Sequence, residues 1–113
     1  MRNPKMTKIL VSTIALAASM SLAQAADIAK GAEKAEQVCA ACHGKDGKTP
    51  IDPSYPIIAG QHETFLAQAM RDYKSGARKN AIMSAQASLL SSADIDNLAA
   101  YYASLPSDLS HQK

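Results

Sequence analysis

Apolar and polar positions recur at helical spacing in three stretches of this chain, and no stretch shows the period of two that marks a strand. The first covers residues 27 to about 39. Ile28, Ala32, Ala35 and Val38 form a narrow stripe there, and Asp27 stands at the N-cap, where its charge suits the positive helix end. Gly31 interrupts it at a cost of about 1 kcal/mol relative to Ala; it is either a tolerated glycine or, as expected here, the mark of a close helix crossing with no room for a Cβ. The second runs from 63 to about 75, with Phe65, Leu66, Ala69, Met70 and Tyr73 on one side and Gly76 as the stop. The third runs from 91 to 104. Ser91 and Asp94 resemble a capping box with Asp in place of Glu, Ile95, Leu98, Ala99, Tyr102 and Leu105 share a face with Tyr101 beside it, and Pro106 ends it. Between the first two lies a loop, 44–60, with three glycines and three prolines. Residues 77–90 are weakly periodic and read as irregular, and the tail after Pro106 reads as frayed. The fold class is all-α.

The first 25 residues stand apart. Arg2, Lys5 and Lys8 precede a short run of apolar and small residues, and "AQA" at 23–25 offers a cleavage site. This is the pattern of a secretory leader, and the run is short of the roughly 20 apolar residues of a membrane span. The expected organisation is a leader over 1–25 and one domain over 26–113, exported to the periplasm, with no membrane span. The leader holds three of the twelve basic residues and none of the ten acidic ones, so the remainder carries about −1. That balance offers no concentrated basic face for nucleic acid. The domain of about 88 residues has no Trp and one Phe. Chains this small often need a metal, a disulfide or a cofactor to complete the core.

Both cysteines lie in "VCAACHG", Cys39 and Cys42, with His43 next. A disulfide across two residues stabilises little. A redox dithiol is expected at a helix N-terminus within a βαβ setting, whereas this pair ends a helix. A structural zinc ion needs four ligands, and Cys39, Cys42 and His43 do not easily converge on one small ion. C-x-x-C-H is also the spacing of covalent haem attachment. Three residues make about one helical turn, so both sulfurs face one porphyrin edge and the following imidazole is carried beneath the iron. Export, small size, thin core and long loop all favour this last reading.

The chain resembles the class I c-type cytochromes, in particular one haem domain of bacterial cytochrome c4 or a monohaem cytochrome c553. "GAEKAEQVCAACHGKDG", "YPIIAGQHETFLAQAMRDYKSGARK", "IMSA" and "LSSADIDNLAAYYASLP" carry the likeness. It implies a small fold of three main helices and loops wrapped around one haem c. Cys39 and Cys42 would form the thioethers and His43 the proximal iron ligand. Pro56 matches the proline whose carbonyl accepts the imidazole Nδ1–H, and Ile58 an apolar residue packed on the haem. Gly31 and Tyr101 match the crossing of the first and last helices.

Met83, 40 residues after His43, is the expected second axial ligand. A soft neutral thioether favours Fe(II). Met70, on an apolar helix face, is expected to pack against the haem, and His62 and His111 are expected at the surface and in the tail. A proline that the family usually places near the methionine is missing from "NAIMSAQA". With both axial positions filled, the expected role is a one-electron carrier and not an enzyme. Its partners would be redox proteins such as a membrane-bound reductase and a terminal oxidase or reductase. The alternatives are a haem subunit of a larger respiratory oxidoreductase, a haem sensor or peroxidase-like enzyme, and a thiol oxidoreductase.

Overall fold

The computed structural model describes residues 25–112, with the side chains of the last two excepted. The expected leader therefore lies, except for Ala25, outside the described residues. Five α-helices and a closing 3-10 turn account for the regular structure, and the described residues contain no strand.

Helix α1 (Ile28–Val38) opens on Asp27, whose carboxylate accepts the Lys30 amide. It ends one residue before the first cysteine, and a separate turn, α2 (Ala40–His43), carries the motif. Gly44, at φ 85°, stops that turn in a conformation that a Cβ disfavours. Helix α3 (Glu63–Ser75) ends on Gly76 in the left-handed region. Helix α5 (Ser92–Ser104) starts with both halves of a capping box: Ser91 Oγ accepts the Asp94 amide and Asp94 accepts the Ser91 amide, each at 3.0 Å.

Helices α1 and α5 form the main crossing, and α3 packs on α5. A Cβ built on Gly31 would lie 2.1 Å from the Asn97 carbonyl oxygen and 2.8 Å from Tyr101 Cβ, so only glycine permits this approach. The Asp27 amide also donates to Asn97 Oδ1 at 2.8 Å, tying the start of α1 to α5. Ala35, Leu66, Ala67, Leu90, Ile95, Leu98, Ala99 and Tyr102 make the core. Of these only Ile95 and Leu98 are large side chains with essentially no exposure.

Two expectations are corrected. Residues 81–88 are not irregular but form a helix, α4 (Ala81–Ser88), with Met83 in its first turn. Asn80 caps it by accepting the Met83 amide at 3.0 Å, and its alanines favour the helical state. The helix lacks an apolar stripe because only Ala87 is buried, which is why periodicity does not reveal it. The tail is not frayed up to residue 110. Ser107 Oγ donates to the Ala59 carbonyl at 2.5 Å and Ser110 Oγ to the Ser107 carbonyl, and the 3-10 turn Asp108–Gln112 follows.

Candidate functional site

The site is built on one helical turn. The amides of Cys42 and His43 both donate to the Cys39 carbonyl, at 3.2 and 3.0 Å, so Cys39, Cys42 and His43 occupy a single turn at the end of α1. Both cysteines are free and half-buried, while His43 is 7% exposed.

The loop after the motif folds back over it through Gly47. The Gly47 carbonyl accepts the amides of Ile58 and Ala59, at 2.9 and 3.0 Å, and the Ile51 amide donates to the Cys42 carbonyl. Gly47 lies against the Tyr102 ring, where a Cβ would sit 2.9 Å from two ring carbons. Closing the loop there sets the Pro56 carbonyl 3.1 Å from His43 Nδ1. A carbonyl only accepts, so Nδ1 carries the proton and Nε2 keeps its lone pair. No hydrogen bond joins Nε2 to another side chain or backbone group among the described residues.

Burial pushes the Cys39 thiol above its ordinary range, opposed in part by a hydrogen bond with the Tyr102 side chain. Tyr102 is itself pushed up, chiefly by its own burial. This setting penalises a thiolate, the form that a redox dithiol or a zinc site needs. It does not penalise an uncharged thioether. The donor set therefore fits haem c: two sulfurs on one turn, one in surroundings that favour neutral sulfur, and an oriented imidazole whose second nitrogen is left for a metal. Among the described residues no three His, Cys, Asp or Glu side chains are grouped to hold a metal ion.

The remaining expected residues are spread over the loop, α3, α4 and the closing turn. Ile58 and Met70 are half-buried and pack, with Val38 and Cys39, against the core. Met83 is half-buried on α4, which packs on α3, the helix of Met70. His62 is exposed just before α3, with no capping bond from its side chain. His111 lies in the closing turn, its side chain outside the described residues. Two neighbours escaped the sequence reading. The Tyr55 ring stands 6.3 Å from that of His43 at 45°, and Tyr102, visible only as part of an apolar face, reaches Cys39. Of two clefts, of about 200 and 390 Å³, the first is lined in part by Ala32, Glu36, Lys45 and Tyr101 and reaches the motif turn at Ala40, and the second by Gly60, His62, Phe65 and Leu109. Neither is lined by Cys39, Cys42 or His43. Large apolar side chains instead stand open, with Ile57 42%, Phe65 52% and Ile82 51% exposed.

Comparison with known proteins agrees with this chemistry. The family model described as cytochrome c oxidase, cbb3-type, subunit III matches residues 26–101. Cytochrome c4 of Pseudomonas aeruginosa is 40% identical over 99 residues, 88% of this chain and 49% of that protein. Cytochrome c-554(548) of Halomonas halodenitrificans is 42% identical over 83 residues, 71% of this chain and 98% of that protein. A thiosulfate dehydrogenase electron acceptor of Stutzerimonas stutzeri is 37% identical over 102 residues, 86% of this chain and 47% of that protein. The chain thus spans about half the length of the cytochrome c4 and electron-acceptor relatives that it matches.

Proposed function

The chain belongs to the c-type cytochrome family, whose members transfer electrons on covalently bound haem c, and from that premise we propose a one-electron carrier with His43 and Met83 as the axial iron ligands. Bound haem supplies the Fe(III)/Fe(II) couple. Everything else falls to the protein. Cys39 and Cys42 hold the group through thioethers. The Pro56 carbonyl fixes the imidazole of His43 so that Nε2 meets the iron, a bond of the kind that raises ligand basicity and stops ring rotation. Met83 offers a neutral thioether from α4. Ile58 and Met70 supply apolar wall, and the open Ile57, Phe65 and Ile82 side chains supply apolar surface that a macrocycle would cover.

The His43–Pro56 hydrogen bond is the observation that carries this reading, because it assigns the tautomer and leaves one nitrogen for the metal. With His43 and Met83 both holding the iron, no position would remain open for a substrate, which favours a carrier over an enzyme. Residues 1–25 are proposed as the secretory leader, which places the carrier in the periplasm. No helix among the described residues is long and apolar enough to cross a membrane. Redox proteins such as a membrane-bound reductase and a terminal oxidase or reductase are the proposed partners, docking weakly through small contacts.

The test is ligand competition. The ferric protein is expected to show the weak long-wavelength absorption band of sulfur–iron ligation, and the ferrous protein to resist carbon monoxide. Met83→Ala is expected to abolish the band and open the site to the gas. A band that survives this substitution, or rapid gas binding by the unsubstituted protein, contradicts the assignment.

A second reading, a haem subunit within a larger oxidoreductase, draws on the family description and on the likeness to an electron-acceptor protein. Size-exclusion chromatography of native periplasmic extract separates the two: a free carrier elutes near the mass of one domain, and a subunit elutes with its complex.

A further inference from the structure

Helix α4 bears the proposed ligand but is thinly anchored. Only Ala87 of its eight residues is buried, and its main packing partner is α3. Ile82 is 51% exposed, and Leu89, at the C-cap, is 70% exposed. The Asn80 cap shapes the first turn but bonds only within its own segment, Asn80 to Met83. The far end is held differently. The Lys74 ammonium, in the last turn of α3, donates to the Leu90 carbonyl, one residue beyond the C-cap. Leu90 is buried, and α5 starts at once after Ser91. This bond ties α3 to the junction between α4 and α5.

The chemistry suits the place. An ammonium complements the carbonyl end of a helix, where several C=O groups lack intrahelical partners. Lys74 takes part in none of the ion pairs among the described residues. Asp96 is held by Arg71 at 2.6 Å, Asp94 by Lys34 and the Ser91 amide, and Asp72 by Gln68. The Lys74 charge is therefore directed at the carbonyl and not drawn to a carboxylate.

We infer that Lys74 is a positioning residue for Met83, its bond to the Leu90 carbonyl holding α4 against α3 so that the thioether stays at the iron. The inference rests on the reading of Met83 as axial ligand. A neutral thioether has no net charge to hold it to the metal, so its residence depends on the helix that presents it. Without the Lys74 tether, α4 keeps its packing on α3 but loses the bond at its far end, so that the helix bearing Met83 is held less firmly.

The experiment uses the haem-loaded protein with Lys74→Met, which keeps length and loses the donor, and Lys74→Arg, which keeps a cationic donor. Haem content is checked by the pyridine haemochrome spectrum and helix content by circular dichroism. Lys74→Met is expected to keep both, to lose the sulfur–iron band at lower temperature, and to bind carbon monoxide in the ferrous state roughly fivefold faster, as loss of a partly exposed charge-assisted hydrogen bond implies. Lys74→Arg is expected to behave as the parent does. Should Lys74→Met not accumulate, Lys74→Gln, with a neutral donor, is expected to move both readouts in the same direction by less. Parental band stability and gas binding in Lys74→Met overturn the inference, and so does an equal loss in Lys74→Arg, which would make packing and not the bond responsible. Failure of the underlying ligand reading looks different: the band then survives Met83→Ala.

Discussion

His43 shows how much a single backbone acceptor decides. Pro56 lies 13 residues away, yet its carbonyl sets the tautomer and angle of the imidazole, and both loop amides on the Gly47 carbonyl exist to put it there. The motif was legible as a string of letters; the pairing of Pro56 with His43 came from resemblance alone, since no spacing rule connects them. Tyr55 and Tyr102 were not legible as neighbours of the motif, because contacts of that kind depend on how the loop closes. The cap of α5 is a residue whose role could be read directly. Ser91→Ala is expected to cost about 1 kcal/mol, measurable as a lower urea midpoint. Asp94, its partner, is held below the usual carboxylate range, first by the Ser91 amide and further by Lys34. A lowered native pKa means that the unfolded chain binds the proton first. The stabilisation is therefore present above the unfolded value of about 3.9 and is lost as pH falls through the native one. The stability difference between the parent and Asp94→Asn is expected to shrink in urea titrations below about pH 4; a difference that grows on acidification contradicts the sign.

Among elements, α1, α3 and α5 were legible because each presents a face to a neighbour. The register was nearly right: Ala35, Leu66, Ile95, Leu98, Ala99 and Tyr102 are buried as their spacing requires. Ile28 and Phe65 share those stripes but are 49% and 52% exposed, since periodicity names a face without saying how far it is covered. Helix α4 was hidden for the complementary reason. It buries one alanine, so it has no stripe, and its real signal is the Asn80 cap. Asn80→Ala is expected to lower stability by about 1 kcal/mol and to weaken the sulfur–iron band, because Met83 sits in the turn that Asn80 caps. The crossing of α1 and α5 gives a sharper test. Gly31→Ala must push the helices apart, and a loss of about 1–3 kcal/mol is expected in thermal or urea unfolding. A neutral or stabilising effect, as helix propensity alone would give, removes the close-crossing account.

The whole molecule is small and rich in alanine, and among the described residues two large side chains are fully enclosed and several others left open. On the proposed attachment at Cys39 and Cys42, such a chain would gain order by covering that apolar surface with the macrocycle, since a group that binds the native state alone stabilises it. The double substitution Cys39→Ser, Cys42→Ser is expected to give a protein without a cooperative thermal transition, and a sharp transition contradicts this. Charge acts at this scale too. Lys74, Arg78 and Lys79 lie between Asp72 and Asp94 with no acidic residue among them, whereas the domain as a whole is near neutral. Two of the three are engaged: Lys74 is bound to a carbonyl and Arg78 covers the Tyr73 ring at 4.9 Å. Electron transfer itself is best followed by spectroelectrochemical titration of the purified protein, with the sulfur–iron band as the monitor. One reversible one-electron wave is expected, with the band rising in step with oxidation. A protein without such a wave, or one whose oxidised form never shows the band, contradicts the proposed carrier role.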